Sequence, residues 1–296
     1  MRLQAAVAFP GQGIQSPGMA AQVKGTRAWK LFTEASTILG YDLGKLCLEG
    51  PDELLNKAAQ AQAAIYVTCM ALWELHGRSF PEVKVFLGHS LGELAALTAA
   101  GALDFTQGVQ LVEKRGELMS AVNDGGMLVV SGLRAGVVRQ LCAQVLQGCV
   151  EVAAENTPGQ VVVSGDEQGL LALAALAKGR GAKRVTPLKV TGPFHSQFMR
   201  PAAEQFAAVV AALELKTCTH PVLGSDGQTL LQEPEEIKRE LVRQLTEPVR
   251  FMNALRTLEA LGIEEFVEVS PVSVLIPLAK RAARNFKFTL ASNGGM

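Results

Sequence analysis

Residues 86–97 read FLGHSLGELAAL. The stretch joins an apolar run, VKVFL at 83–87, to a run rich in Ala and Leu that continues to residue 100. Val and Phe dominate the first run, which predicts a strand. The second is built from strong helix formers, which predicts a helix over 91–100. Between them, Gly88-His89-Ser90-Leu91-Gly92 fits the spacing G-x-S-x-G, a motif that needs a strand before it and a helix after it. The chain must reverse sharply there. Glycines on both sides let strand and helix approach without Cβ clashes, and Ser90 is left on a strained turn with its hydroxyl exposed. The start of the helix aims backbone N–H groups at the same point. Two readings of Ser90 stand side by side: a nucleophile on that turn, or a plain helix cap.

Working outward, AAVAF at 5–9 stops at Pro10-Gly11 and predicts a second buried strand. Helical content over 62–76 and 105–121 completes an alternation of strands and helices. That alternation predicts an α/β core with a parallel sheet. The rhythm changes near Gly125-Gly126. MLVVSG (127–132) predicts a strand, 134–147 a helix, CVEVAAE (149–155) and QVVVSG (160–165) two strands joined by Asn156-Thr157-Pro158-Gly159, 167–179 a helix, and 182–190 a closing strand. The order β-α-β-β-α-β is the ferredoxin-like pattern. It predicts a small domain at 122–190 inserted into a large α/β domain made of 1–121 and 191–296. In the second part of the large domain, helices are expected over 195–213, 234–245, 251–261 and 273–284, with strands at 221–225 and 264–270.

The bulk properties narrow the function class. The chain has 296 residues, 48% of them hydrophobic and 19% charged, with a formal net charge of zero. That is the composition of a globular enzyme, and the balance points to neither nucleic acid nor an anionic membrane as a partner. The five cysteines are odd in number and form no C-x-x-C pair, so neither a disulfide framework nor a zinc site is expected, and a reducing cytosol fits. The opening MRLQAAVAFPGQG offers five apolar residues before Pro10, too short for a signal-peptide core. No apolar run approaches the roughly 18 residues of a membrane span. The expectation is a cytoplasmic protein without a bound cofactor or metal. GQGIQS at 11–16 has Ser16 where a dinucleotide fingerprint needs its third Gly.

A serine nucleophile needs a base. The four histidines are 76, 89, 195 and 220. His89 adjoins Ser90, and neighbouring side chains on a turn diverge. His76 ends a helix, and His220 precedes a proline in a polar stretch. His195 lies in VTGPFHSQFM, after a strand and a Gly-Pro break, in the kind of loop that carries catalytic groups in α/β folds. It is the candidate base; a buried structural histidine is the alternative. No Asp stands out as a third member. A backbone carbonyl on Nδ1–H meets the same requirement.

Six blocks occur in order: FPGQGIQSPGM (9–19), GHSLGE (88–93), EKRGELM (113–119), NTPGQVVVSG (156–165), PFHSQFM (193–199) and LVRQLTEPVRF (241–251). Together they resemble the malonyl-CoA:acyl carrier protein transacylases of bacterial fatty acid synthesis and the acyltransferase domains of polyketide synthases. The resemblance implies an α/β-hydrolase-like core with a ferredoxin-like insert. It implies Ser90 as nucleophile, His195 as general base, backbone N–H groups of Gln12 and Leu91 as the oxyanion hole, and the backbone carbonyl of Gln244 as the group that holds His195. It implies Arg115 as the partner of the malonyl carboxylate, with Gln62, Met119 and Asn156 lining the pocket. Without the resemblance, Arg115 reads as an exposed helix residue beside Glu113 and Glu117. Leu94, Ile14, Ala63 and the stretch SPV at 270–272 depart from the usual pattern of these enzymes; none is a catalytic position.

The implied activity is a ping-pong transfer of malonyl from malonyl-CoA, as substrate, to the phosphopantetheine thiol of acyl carrier protein. A stand-alone acyltransferase serving a polyketide synthase and an editing acyl hydrolase are the alternatives. A carrier in this pathway is acidic. Two basic runs are candidates to steer it: KGRGAKRVTPLK at 178–189 and KRAARNFK at 280–287.

Overall fold

The apolar run AAVAF lies in the middle of a six-stranded sheet. A computed structural model describes residues 3–80, 82–283 and 285–292. The chain opens with β1 (Gln4–Phe9), followed by α1 (Lys30–Leu39), α2 (Leu43–Glu49), α3 (Asp52–Leu55), α4 (Ala58–His76), β2 (Glu82–Gly88), α5 (Gly92–Ala99) and α6 (Phe105–Ser120). Next come β3 (Gly126–Ser131), α7 (Ala135–Cys142), β4 (Val150–Thr157), β5 (Gln160–Gly165), α8 (Glu167–Gly179) and β6 (Arg184–Pro187). The chain continues with α9 (Arg200–Ala211), β7 (Val222–Leu223), β8 (Leu230–Leu231), α10 (Pro234–Arg243), α11 (Phe251–Ala260), β9 (Glu265–Val269), α12 (Leu275–Ala282) and β10 (Lys287–Ala291).

The large sheet runs β10-β9-β1-β2-β7-β8. Its pairs are parallel, except that β8 runs antiparallel to β7. Val7 of β1 stands between Phe86 of β2 and Val267 of β9. A parallel sheet covered on both faces needs an apolar residue at every position of its central strand, and Ala5 through Phe9 are all fully buried. Side chains alternate between faces. Ala5, Val7 and Phe9 join a cluster with residues of α1, α4, α5 and α6; Ala6 and Ala8 join a second cluster with α11 and α12.

The segment from β3 to β6 forms a separate four-stranded antiparallel sheet in the order β4-β5-β3-β6. It has its own apolar cluster, with Val130, Val161 and Val163 packed against Val138 of α7 and Leu173 of α8. Backbone bonds tie it to the rest. Val249 donates to the Ala153 carbonyl at 3.0 Å and accepts from Glu155 N–H at 2.8 Å.

The expected helix at 195–213 differs in its start. A 3-10 turn spans Gln197–Met199, and α9 begins at Arg200. His195 has φ +57°, a left-handed conformation that an α-helix does not admit. The helix expected over 134–147 ends at Cys142. Leu146, beyond that end, is 95% exposed, so no buried stripe sustains another turn. Asn156 belongs to β4 rather than to the turn after it. Elements α1–α3, β8 and β10 were not expected. β10 is an edge strand in which only Ala291 is buried, so it lacks the apolar run that marks β1. Arg284 of the second basic run and the first two residues of the opening stretch lie outside the described residues. Among the described residues no helix is long and apolar enough to cross a membrane.

The turn from β2 to α5 explains its glycines. A Cβ on Gly88 would meet Glu93 N at 1.9 Å, and one on Gly92 would meet the Phe9 carbonyl oxygen at 2.0 Å. Gly136 of α7, in contrast, has nothing within 4 Å of such a Cβ. Gly92→Ala is therefore expected to destabilise the fold by about 1–3 kcal/mol through backbone displacement. Gly136→Ala is expected to stabilise by up to about 1 kcal/mol through helix propensity. Urea unfolding of both variants checks the pair; equal effects would contradict this account of the turn.

Candidate active site

β2 ends at Gly88, α5 begins at Gly92, and the three residues between them make a turn pinned to β1: His89 N–H donates to the Phe9 carbonyl at 2.9 Å. Ser90 sits at its apex with φ +54°. A non-glycine residue held in the left-handed region stores strain, commonly at functional sites. His195 is the other described non-glycine residue with positive φ. Its loop is fixed on both sides, by a short hydrogen bond from the Ser164 hydroxyl to the Phe194 carbonyl and by one of 2.5 Å from the Ser196 hydroxyl to the Pro193 carbonyl.

These two strained residues meet. Ser90 Oγ lies 2.7 Å from His195 Nε2, and His195 Nδ1 lies 2.9 Å from the Gln244 carbonyl oxygen. A carbonyl only accepts, so Nδ1 carries the proton and Nε2 presents its lone pair to the Ser90 hydroxyl. Burial, with the nearby Arg115 charge as the second cause, pushes the His195 pKa down to about 3. The imidazole is neutral at physiological pH and ready to accept a proton.

Arg115 is fully buried, not the exposed helix residue of the alternative reading. It shares the inner face of α6 with Leu111, Val112, Leu118 and Met119, while Lys114 and Glu117 pair on the outer face at 3.0 Å. Its Nη1 donates to Gln62 Oε1 at 3.0 Å; its Nη2 donates to Gln244 Oε1 at 2.8 Å and to Ser90 Oγ at 3.2 Å. Burial lowers its pKa to about 10, which leaves the guanidinium charged at neutral pH. Three uncharged polar side chains accept its hydrogen bonds among the described residues: Gln62, Gln244 and Ser90.

The remaining expected residues gather around this centre. The Gln62 amide donates to Gln12 Oε1 at 3.3 Å and approaches the Met119 sulfur at 3.6 Å. Among the described residues Asn156 forms no hydrogen bond with Ser90. Its Oδ1 lies 2.9 Å from His89 Nε2. The Leu91 and Gln12 backbone N–H groups have no acceptor among the described residues; one follows Ser90 directly, and the other follows the end of β1. His76 closes α4, and the His220 ring packs on Phe86. Two participants went unread in the sequence. The Gln244 side chain bridges Arg115 and the Ser90 carbonyl, the latter at 3.2 Å. Glu93, in the first turn of α5, is fully buried. A carboxyl residue in a helix whose other residues are Gly, Leu, Ala and one Thr is itself a signal.

The site has the parts for acyl transfer through a serine ester: hydroxyl, oriented neutral base, unoccupied backbone donors, and a buried cation for an acyl group bearing a carboxylate. Among the described residues no cluster of His, Cys, Asp or Glu could hold a metal ion.

Residues 7–293 match the acyl transferase domain family. The malonyl CoA-acyl carrier protein transacylase of Bacillus subtilis is 38% identical over 292 residues, 96% of this chain and 92% of that protein. Its counterpart in Escherichia coli K12 is 37% identical over 287 residues, 94% of this chain and 92% of that one. Among solved structures, an acyl carrier protein S-malonyltransferase from Vibrio cholerae superposes with TM-score 0.92 at 36% identity, covering 97% of this chain and 96% of that one. A malonyl-transacylase solved in complex with a type II polyketide synthase acyl-carrier protein gives 0.93 at 36% identity, covering 97% and 95%.

The depressed His195 pKa has a direct consequence. The base form is complete well above about 3 and is lost only as pH falls toward that value. The rate at which a fluorophosphonate modifies Ser90 should therefore stay level between about pH 8 and about pH 5, through the ordinary histidine range near 6.5. Rate measurements with intact-mass detection check this. A drop centred near 6.5 would mean that the imidazole is not held neutral by its surroundings.

Proposed function

The chain belongs to the acyl transferase domain family, and on that premise we propose that it moves malonyl from malonyl-CoA to the phosphopantetheine thiol of an acyl carrier protein through a malonyl ester on Ser90. The observation that carries this reading is the buried Arg115 guanidinium, 3.2 Å from Ser90 Oγ. A cation taken out of water is costly unless an anion meets it. The carboxylate of a malonyl group is such an anion, and a planar guanidinium can bind it through two parallel hydrogen bonds. Gln62, Met119 and Asn156 are the other residues we assign to the acyl pocket.

The chemistry follows from the tautomer. His195 Nε2 takes the Ser90 proton as Oγ attacks the thioester carbonyl. The oxyanion that forms is received by the Gln12 and Leu91 backbone N–H groups; one such donor contributes about 3–4 kcal/mol to the transition state. The Gln244 carbonyl holds the imidazolium through Nδ1–H. The tetrahedral adduct collapses, the C–S bond breaks, and His195 returns the proton to the departing CoA sulfur. The carrier thiol then gives its proton to His195, attacks the ester carbonyl, and leaves the acyl group on sulfur as Ser90 regains its proton.

We read the large sheet with its helices as an α/β-hydrolase-like domain, 1–121 and 191–296, and the β3–β6 segment as a ferredoxin-like domain at 122–190. The strand order β4-β5-β3-β6 with two helices supports the latter. For the carrier we assign the first basic run. Lys178, Arg180, Lys183, Arg184 and Lys189 are all exposed, and no ion pair engages them among the described residues. In the second run Lys287 is already paired with Glu265 at 3.2 Å, and Lys280 sits over the Phe288 ring.

Intact-protein mass spectrometry with a panel of acyl-CoAs, followed by addition of holo carrier, tests the reaction. Malonyl is expected on Ser90 and then on the carrier thiol; rapid loss to water without carrier would favour an editing hydrolase. Arg115→Ala should lower kcat/KM for malonyl-CoA by about 10²-fold or more, the usual scale for removing one partner of a buried charge pair. It should change acetyl-CoA far less. Arg184→Glu should raise KM for the carrier and spare KM for malonyl-CoA, and equal effects on both would count against the docking assignment.

A further inference from the structure

Arg115 is committed before any substrate arrives. A guanidinium has five N–H groups, and a carboxylate binds it best along one edge, through two of them. Only two edges of the plane offer a pair of hydrogens: Nε with Nη2, and Nη1 with Nη2. Both need a hydrogen of Nη2. That nitrogen already faces two acceptors, Gln244 Oε1 at 2.8 Å and Ser90 Oγ at 3.2 Å. The Nε–H, in contrast, is buried without a partner, and Nη1 donates to Gln62 Oε1 alone among the described residues, at 3.0 Å. A carboxylate that takes either edge therefore has to displace one of the two acceptors on Nη2.

We propose that Ser90 Oγ is the acceptor that yields: the guanidinium masks the nucleophile in the free protein, and the malonyl carboxylate unmasks it. The inference rests on the acyltransferase reading above and deepens it. Gln244 is the firmer partner. Its bond to Arg115 is the shorter one, and the residue is fully buried. Its Nε2 also donates to the Ser90 carbonyl at 3.2 Å, and its backbone carbonyl holds His195 Nδ1 at 2.9 Å. Displacing it would disturb the base. Ser90 Oγ, by contrast, has to leave Nη2 in any case. In the attack, Oγ spends a lone pair on the new bond to the thioester carbon while its proton passes to His195 Nε2. The C–S electron pair then departs with the sulfur, which takes that proton and leaves as the CoA thiol. The ester oxygen left on Ser90 is a poor acceptor, so the bond from Nη2 does not survive acylation.

Acyl groups then differ in what replaces that bond. Malonyl brings a carboxylate to Nη2, so Arg115 exchanges a hydroxyl for an anion, the stronger partner. Acetyl brings nothing. Arg115, which has no exposed surface, is left with a further unpaired N–H away from water, and that is costly. The loss falls on the acylation step itself, because acetyl keeps the Nη2 bond to Oγ in the bound complex and gives it up only on the way to the ester. Hydrogen bonds to a charged group are worth roughly 10- to 100-fold, which sets the size of the effect. The other contact of Oγ, to His195 Nε2 at 2.7 Å, is the one the reaction uses, and the exchange leaves it in place.

Malonamate, a carboxylate joined through one methylene to an unreactive amide, probes the exchange without chemistry. Calorimetry should find it about tenfold tighter on Ser90→Ala than on the wild type, because no hydroxyl competes for Nη2 in the variant. Malonamide, the neutral diamide, should not share the gain. Malonamate binding that is equal or weaker in the variant, or a gain that malonamide shares, overturns the proposal. A second measurement divides malonyl into two pieces, acetyl-CoA and formate. Formate supplies the missing carboxylate and is not consumed. It should raise the rate of Ser90 acetylation in the wild type, read by rapid-quench intact mass, about tenfold over the same concentration of chloride. Arg115→Ala should show no such response. A wild-type rate that formate leaves level or lowers, or an equal rise in the variant, also overturns the proposal. Absence of any malonyl mass on Ser90 after exposure to malonyl-CoA would instead overturn the acyltransferase reading, and this inference with it.

Discussion

A cation with no exposed surface, Arg115, is the constraint around which the site is built. Removing a guanidinium from water costs several kcal/mol even after the protein relaxes, so every element around it must supply something. α4 supplies the side-chain amide oxygen of Gln62, the residue after α10 supplies that of Gln244, and the β2–α5 turn supplies the Ser90 hydroxyl. These bonds fix the relative positions of three elements that are far apart in sequence. Burial first, and the Arg115 charge second, depress the basicity of His195.

The second organising feature is strain held in place from outside. Ser90 and His195 both have positive φ, which costs on the order of 1–3 kcal/mol per residue. The Ser90 turn is held by β1, through the Phe9 carbonyl, and by glycines that let α5 approach the backbone at Phe9. The His195 loop is held by the antiparallel sheet, because the hydroxyl that engages the Phe194 carbonyl belongs to Ser164 of β5. The small sheet therefore helps to position His195, although neither Ser90 nor His195 belongs to it. Gln244 joins the two halves of the site, with its backbone oxygen on His195 and its side chain between Arg115 and the Ser90 carbonyl.

What the sequence disclosed follows from how local each signal is. AAVAF, VKVFL and QVVVSG are buried on both faces or nearly so, and they read as strands without help; QVVVSG matches β5 residue for residue. β10 is half exposed along the sheet edge and follows a basic run, so no local pattern announces it. The helices α1–α3 are short and flanked by polar residues, and tertiary packing rather than propensity makes them. At the site, G-x-S-x-G was legible because strand, turn and helix are contiguous. Arg115 was half legible. Its spacing from Leu111, Val112, Leu118 and Met119 puts it on the apolar stripe of α6, yet the acidic neighbours in EKRGE invite the opposite reading. The bridge made by the Gln244 side chain depends on three distant segments meeting, and no window of sequence contains that information.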